Sequence, residues 1–509
     1  MVVYGKNRDI SASGKSSVYS LFHAQVRRKR DAIAIEYQKI SWNYGTLDDA
    51  VRRLASVFTN LGIARRDRVA IISENRPEYI VAELACAMTG AIIACQNWRL
   101  SSDELKHCIT LVDPKLLIVS ERFANNLNEL DLSDLEIINL DDGYTELLGN
   151  ASAAISPQSL DPEEGIVILY TSGTTGLPKG ALISHRAQIA RMCALRLDTV
   201  IREQDAFIAW TPMFHMASTD QLLNALMSGS TVIIIDGLKP DAITDAASRY
   251  DLGWLVMLPG SIKPMIEHLK KTKPKLKSIA CIGAMADLVP RQEVADLTEL
   301  MGAPYLNSFG ATETGLPPAS AALIPPGITD YSLSKRVNSL CEVRLIGSDG
   351  KEVNDGETGE LAIRGATVFS GYWNAEETNA NDFHGGWFRM GDLFRRNPDG
   401  TLDFVDRAKY MIKSGGENIY PAEIERILLA DERVLDAVVI RKQDTQWGEV
   451  PVAFISRTNE ELTEDEVEIL CRTKLASYKR PKEVRFIELN EFPRSTTGKI
   501  QRHEMESWL

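Results

Sequence analysis

Between Thr171 and Gly180 the chain reads Thr171-Ser172-Gly173-Thr174-Thr175-Gly176-Leu177-Pro178-Lys179-Gly180, crowding hydroxyls, glycines and one lysine into ten residues. Glycines let a backbone come close to an anion, hydroxyls and N–H groups donate to its oxygens, and a lysine adds positive charge. Directly after the apolar stretch Ile166–Tyr170, the run suits a polyphosphate better than it suits an inert Ser/Gly linker. It departs from the mononucleotide-binding pattern, GxxxxGK followed by Ser or Thr, because Pro178 stands where the second glycine belongs. Other groups with chemical reach stand far apart: His215 closing Trp210-Thr-Pro-Met-Phe-His215, Glu313 inside Asn307–Gly315, Asp392 closing Trp387–Asp392, and Lys499 near the C-terminus. Taken singly each has an ordinary fate. A histidine among apolar neighbours is commonly a satisfied core residue, and lone carboxylates and lysines are commonly solvated.

These groups can act together only if the elements carrying them converge. Arg68–Ile72 reads as a strand, Glu78–Thr89 as an apolar-rich helix and Ala91–Cys95 as the next strand. Further strands are expected at Lys115–Val119, Ile166–Tyr170, Thr231–Ile235, Trp254–Leu258 and Ser278–Ile282. Such alternation implies an α/β fold of largely parallel, helix-covered sheets with ligands at the carboxyl ends of strands. The glycine-rich run is then expected between a strand and a helix. From about Thr358 the strands become shorter and glycine-punctuated, and after Arg407 a small α+β unit begins. There Pro421 opens a helix in the favoured first-turn position, and Thr463 with Glu466 forms a capping box for another. Residues 1–406 are therefore expected to form a large N-terminal domain and 407–509 a small C-terminal one. The Lys-rich stretch Lys263–Lys277 reads as a solvated helix face.

The 509 residues are 44% hydrophobic and 25% charged, which excludes a disordered or low-complexity chain. A net charge of −13 argues against a general nucleic-acid or anionic-membrane binder. Seven cysteines between Cys86 and Cys471 show no paired metal-ligand spacing. The opening MVVYGKNRDIS lacks a signal-peptide apolar core, and the apolar window Val81–Cys95 is interrupted by Glu83. A reduced, cytoplasmic protein without membrane insertion is the expectation.

The glycine-rich loop, with the order of motifs after it, resembles the adenylate-forming superfamily: acyl-CoA synthetases, peptide-synthetase adenylation domains and firefly-type luciferases. The resemblance runs from about Ser41 to the C-terminus, nearest to the acyl-CoA ligases. It implies mostly parallel helix-covered sheets plus a distorted β-barrel-like subdomain, and a small mobile C-terminal lid. It also implies ATP, Mg2+ and CoA as cofactors. Thr171, Ser172, Gly173, Thr174, Thr175, Gly176 and Lys179 would cradle the phosphates, with Thr171 and Glu313 at the metal. Gly283 and Ala284 would meet adenine through their backbone, and Ser308, Phe309, Gly310, Ala311 and Thr312 would follow the nucleotide. Phe309 stands where relatives carry a stacking tyrosine and keeps the π-face. His215 would lie beside the acyl pocket, Asp392 and Arg407 at the ribose, and Lys409 at the lid hinge, with Tyr410 where Asp is common. Lys499 would be the lid lysine of the first half-reaction. Gly415, Gly416 and Trp447, with the basic Tyr478–Lys482 turn, would meet CoA; the bland alternative is a buried tryptophan and a solvated turn. Ala284, Met285 and Ala286 depart from the usual Gly-Gly-Ala-Pro texture, and Ser334–Arg336 stands where relatives have glycines, so an unusual acyl-pocket entrance is expected.

The resulting expectation is an AMP-forming acid–thiol ligase that makes an acyl-adenylate from a small carboxylic acid and passes the acyl group to CoA. An amine acceptor, a carrier protein supplied in trans, or a catalytically silent nucleotide binder are the alternatives. Ala217, Ala284, Ala286 and Ala311 hint at a roomy tunnel for a long, aromatic or polycyclic acid. Oligomeric state stays open, a homodimer included.

Overall fold

Runs such as Arg68–Ile72, Ile92–Cys95 and Leu116–Val119 are apolar without alternation, and a strand of that kind is stable only when both faces are covered. The computed structural model, which describes residues 14–127, 135–171, 177–287, 289–414, 417–494 and 500–509, places them at the centre of a six-stranded sheet. Its order is Glu136–Asn139, Leu116–Val119, Arg68–Ile72, Ile92–Cys95, Gly165–Thr171, Lys179–Ser184, and only the last pairing is antiparallel. The helix Pro77–Thr89 packs beside it, started by Pro77 and stopped by Gly90 at φ 80°.

A second layer is built the same way. Phe207–Ala209, Val232–Ile234 and Ile33–Tyr37 run parallel, as do Leu252–Leu255, Ile279–Ile282 and Tyr305–Leu306. A parallel bridge between Ala206 and Leu252 joins these two groups edge to edge. The expected strand at Trp254–Leu258 begins and ends earlier, at Leu252–Leu255, because Leu258 is already the N-cap of the helix Pro259–Thr272.

Residues 341–407 form a five-stranded antiparallel sheet: Cys341–Ile346, Thr358–Gly365, Trp387–Arg396 and Phe383–His384, with Leu402–Arg407 on Trp387–Arg396. It stays open; among the described residues no strand pairing closes it into a barrel. From Ile412 onward another sheet is covered by the helices Pro421–Leu428 and Glu464–Lys474 and has its own core around Ile424, Val439 and Ile455. Thr463 and Glu466 make the reciprocal capping bonds, a feature worth about 1 kcal/mol.

The structure corrects one expectation about the glycine-rich run. It joins Gly165–Thr171 to an antiparallel strand, Lys179–Ser184, with Thr171 opposite Lys179, and not to a helix. Lys179-Gly-Ala-Leu-Ile-Ser184 buries Ala181 and Ile183 completely in the sheet, and the helix His185–Asp198 starts only where Ser184 can cap it.

Candidate active site

Lys179, at the end of the glycine-rich run, and Glu313, 134 residues later, come together on one side chain, Tyr372. The segment Ser370–Trp373 lies along the strand Lys179–Ser184: Ser370 N–H donates to the Leu182 carbonyl, Leu182 N–H to Gly371, and Trp373 N–H to Gly180. That pairing sets the Tyr372 ring 5.1 Å from the Lys179 ammonium, while its hydroxyl donates to Glu313 Oε1 at 2.7 Å. Burial, and then the Glu313 carboxylate, hold the phenol far above the usual tyrosine range, so it stays a donor.

Glu313 sits in a turn between the short strands Gly310–Ala311 and Gly315–Pro318. A side chain at Gly310 would put a Cβ 2.0 Å from the Gly315 carbonyl, so the tight pairing requires glycine. Phe369 N–H donates to the Glu313 carbonyl at 2.8 Å. Arg191, 2% exposed, reaches in from the helix His185–Asp198 and donates to the Thr312 carbonyl at 3.0 Å and the Thr367 carbonyl at 3.2 Å. Its guanidinium pairs with the buried Asp220 at 3.0 Å. Burial raises the Asp220 carboxyl, and Arg191 opposes that shift. The carboxylate is thus held on both sides of its backbone and at one oxygen.

Asp392 and Arg407 face one another on adjacent strands, with Arg407 Nε 3.0 Å from Asp392 Oδ1. The Asp392 carboxylate, in turn, raises the Arg407 guanidinium further. Asp392 follows Gly391 at φ 72°, and Glu360 accepts the Gly391 N–H at 3.1 Å and pairs with Arg389, opposite an irregularity in the strand register. Phe309 is buried edge-on against Phe394, centroids 4.6 Å apart, and beside Phe404. Gly283 lies over the Tyr305 ring at φ 95°, where a Cβ would come within 2.4 Å of that ring, and Trp254 Nε1 donates to its carbonyl. Ala284 follows it, and Ser308 is buried.

His215 is half-buried and serves as N-cap of the helix Met216–Ser228, its Nδ1 accepting from Ala217 N–H at 3.2 Å. That bond puts the ring proton on Nε2. Asn75 clamps the loop before it, donating to the Ala209, Thr211 and Ile235 carbonyls and accepting from Met213 N–H.

Lys409 lies in the turn Ala408–Tyr410, its ammonium 4.9 Å over the Tyr410 ring, which also stacks under the Arg502 guanidinium at 4.8 Å. Trp447 is 46% exposed at the turn between Val434–Asp444 and Gly448–Arg457, which overturns the buried-tryptophan alternative. Lys479 pairs with Glu423 at 2.8 Å. Ser172, Gly173, Thr174, Thr175, Gly176, Gly415, Gly416 and Lys499 lie outside the described residues.

Tyr372, Arg191 and Asn75, which hold the candidate groups in place, are residues that sequence reasoning missed. Asn75 carried a usable signal, since it follows the strand Arg68–Ile72 at its carboxyl end, where ligands gather. Arg191 carried none, because an arginine on a helix normally reads as solvated.

Residues 22–373 match the AMP-binding enzyme family, and residues 423–499 match the AMP-binding enzyme C-terminal domain. The chain belongs to this family. An indoleacetate–CoA ligase from Aromatoleum aromaticum is 33% identical over 489 residues, covering 93% of this chain and 94% of that protein. A 2-succinylbenzoate–CoA ligase from Bacillus cereus is 31% identical, covering 94% and 95%. Among solved structures, the o-succinylbenzoate CoA synthetase of Bacillus subtilis in complex with its acyl-adenylate intermediate superposes with a TM-score of 0.84 at 25% identity, covering 96% of this chain and 98% of that one. An anthranilate CoA ligase shares the fold at a TM-score of 0.87 and 22% identity, covering 98% of each chain. No helix among the described residues is long and apolar enough to cross a membrane.

Proposed function

We propose that the protein is an ATP- and Mg2+-dependent ligase that converts a carboxylic acid to its acyl-adenylate, releasing pyrophosphate, and then transfers the acyl group to CoA, releasing AMP. The observation that carries this reading is the meeting of Lys179, Tyr372 and Glu313, supported by membership of the AMP-binding enzyme family and by CoA-ligase relatives that span nearly the whole chain.

In this reading Thr171, the loop after it and Lys179 hold the phosphates, and Asp392 accepts both ribose hydroxyls with Arg407 beside it. Gly283, Ala284 and the Ser308–Thr312 stretch border the nucleotide, and His215 borders the acid. Glu313, a hard oxygen ligand kept in one orientation by Tyr372, fits Mg2+ together with the Thr171 hydroxyl. Mg2+ would offset charge on the phosphate oxygens. The acid oxygen attacks the α-phosphorus and the pyrophosphate oxygen leaves, so no covalent bond to the protein forms. Negative charge grows on the equatorial α-phosphoryl oxygens and on the departing pyrophosphate oxygen in that step, and Lys499 supplies the fixed cation that stabilises it.

Residues 1–406 act as the body and 407–509 as the lid, with Lys409 as the pivot that moves Lys499 out and brings Gly415, Gly416 and Trp447 to the CoA path. The exposure of Trp447 suits a group that meets a ligand from solution. The acid carries an aromatic ring, a proposal that rests on the indoleacetate and 2-succinylbenzoate ligases and on the small side chains of Ala284, Ala286 and Ala311. All seven cysteines are unpaired, which suits a reducing cytoplasm.

A panel of aryl and aliphatic acids with ATP and Mg2+, offered CoA and then amines, tests the reading by mass identification of products. Thioester from an aryl acid is expected. Amide formation outrunning thioester formation would overturn the acceptor, and no acid-dependent pyrophosphate exchange would overturn the activity.

A further inference from the structure

Two stretches in which the sequence departs from the pattern of its superfamily meet inside the protein. Lys335, in Ser334–Arg336, is 0% exposed, and its ammonium pairs with Asp287, which directly follows Ala284–Ala286 and is also buried. The same ammonium donates to Asn307 Oδ1 at 2.7 Å. That oxygen also accepts from Ala286 N–H at 3.1 Å, while Asn307 Nδ2 donates to the Leu333 carbonyl at 2.9 Å. Lys335 is further tied through its backbone to Leu402, the first residue of the strand that ends in Arg407, by two hydrogen bonds of 2.8 Å.

One lysine therefore stitches together the 283–287 turn, the 307–313 motif and the strand leading to Arg407. A charge withdrawn from water is tolerated only when paired and hydrogen-bonded, and removing one partner costs more than replacing both by apolar groups. The Asn307 amide is fixed by the same logic: flipping it would face its NH2 against two donors, Lys335 and Ala286.

We propose that Lys335 and Asp287 form a positioning pair for the nucleotide wall, holding the 283–287 turn against the 307–313 motif by locking the Asn307 amide. This rests on the reading of those two segments as the nucleotide wall. Burial lowers the Lys335 ammonium and Asp287 counters that shift, which agrees with a pair kept for geometry.

The test is calorimetric titration of ATP with Mg2+ into the full chain, beside thermal melting, for Lys335→Met, Asp287→Leu and the double variant. The single variants are expected to melt well below the wild type, and the double variant to recover most of that loss. The double variant is expected to bind ATP about tenfold more weakly although its fold is restored, because the amide has lost its ammonium donor. If the double variant also melts early, it is titrated where its circular dichroism is native, and the same tenfold loss is expected. Wild-type ATP affinity in the folded double variant would overturn the proposal. Wild-type protein that binds no ATP would overturn the nucleotide reading instead, and that titration comes first.

Discussion

Around Glu313 the candidate groups are held by buried partners: Tyr372 on the carboxylate, Arg191 on the neighbouring carbonyl, and Asn75 across the loop before His215. Beyond Ile412 the candidate groups are held differently. Trp447 stands on an exposed turn, and the Lys479 ammonium lies over the Tyr478 ring and pairs with Glu423, which is itself partly exposed. Groups that must stabilise charge at the moment of reaction gain from being fixed beforehand in a dry setting. Groups that must approach and withdraw cannot be fastened by buried bonds, since each such bond would have to break on every turnover.

The contrast predicts that substitutions in the body change stability and affinity together, whereas those beyond Ile412 change single steps. The largest effect is expected from Lys499→Ala: pyrophosphate exchange falls by about 10²–10³ while thioester formation from supplied acyl-adenylate is kept. Equal loss in both half-reactions would remove the distinction between fixed and visiting groups. Arg191→Met leaves Asp220 without its buried counter-charge and is expected to destabilise the fold by about 3–5 kcal/mol, read by denaturant unfolding. Tyr372→Phe removes one donor to Glu313, worth about 1–2 kcal/mol, so half-saturation by Mg2+ should rise about tenfold and the melting temperature should fall with it. An unchanged Mg2+ requirement would show that the phenol does not orient the carboxylate.

Glu83 offers a pH test of the same buried region. Burial, and then the Asp220 carboxylate, raise its carboxyl well above the ordinary glutamate value of about 4.5, so the folded chain keeps a proton that the unfolded chain releases. Stability tied to that proton is complete below about 4.5 and declines as the pH rises toward the folded value. Glu83→Gln has no proton to lose, so its melting temperature should gain on the wild type as the pH rises above about 5. A constant difference across that range would place the carboxyl in contact with water. Trp447→Ala should be the mildest for the fold, within about 0.5 kcal/mol, and should raise the KM for CoA without altering pyrophosphate exchange.

Much of the frame was legible in the sequence for a physical reason. A parallel strand covered on both faces must be a continuous apolar run, and Arg68–Ile72 and Ile166–Tyr170 announce themselves in that way. The glycine-rich run was recognisable because anion binding restricts residue types locally, yet its setting was not. Lys179–Ser184 became a strand because Ala181 and Ile183 found a sheet edge to cover, a tertiary fact that local pattern does not contain. Tyr372 and Arg191 escaped notice for a related reason: their contacts are with partners on other elements, 59 residues away for Tyr372 and Glu313 and 121 for Arg191 and Thr312, the latter reached by a long side chain that normally lies in water. Lys335 is the sharpest case. Its departure from the superfamily pattern was visible as an oddity of the pocket entrance, but an inward-turned lysine becomes intelligible only when Asp287 is seen opposite it.

The account depends on one spatial claim, that a single nucleotide lies between these groups, and a crystal structure of the protein with ATP and Mg2+ tests it most directly. The account predicts phosphates between Lys179 and Glu313, with the metal on the Glu313 carboxylate and the ribose hydroxyls on Asp392. A nucleotide bound away from Tyr372, or a ribose that leaves Asp392 paired with Arg407 alone, would contradict it.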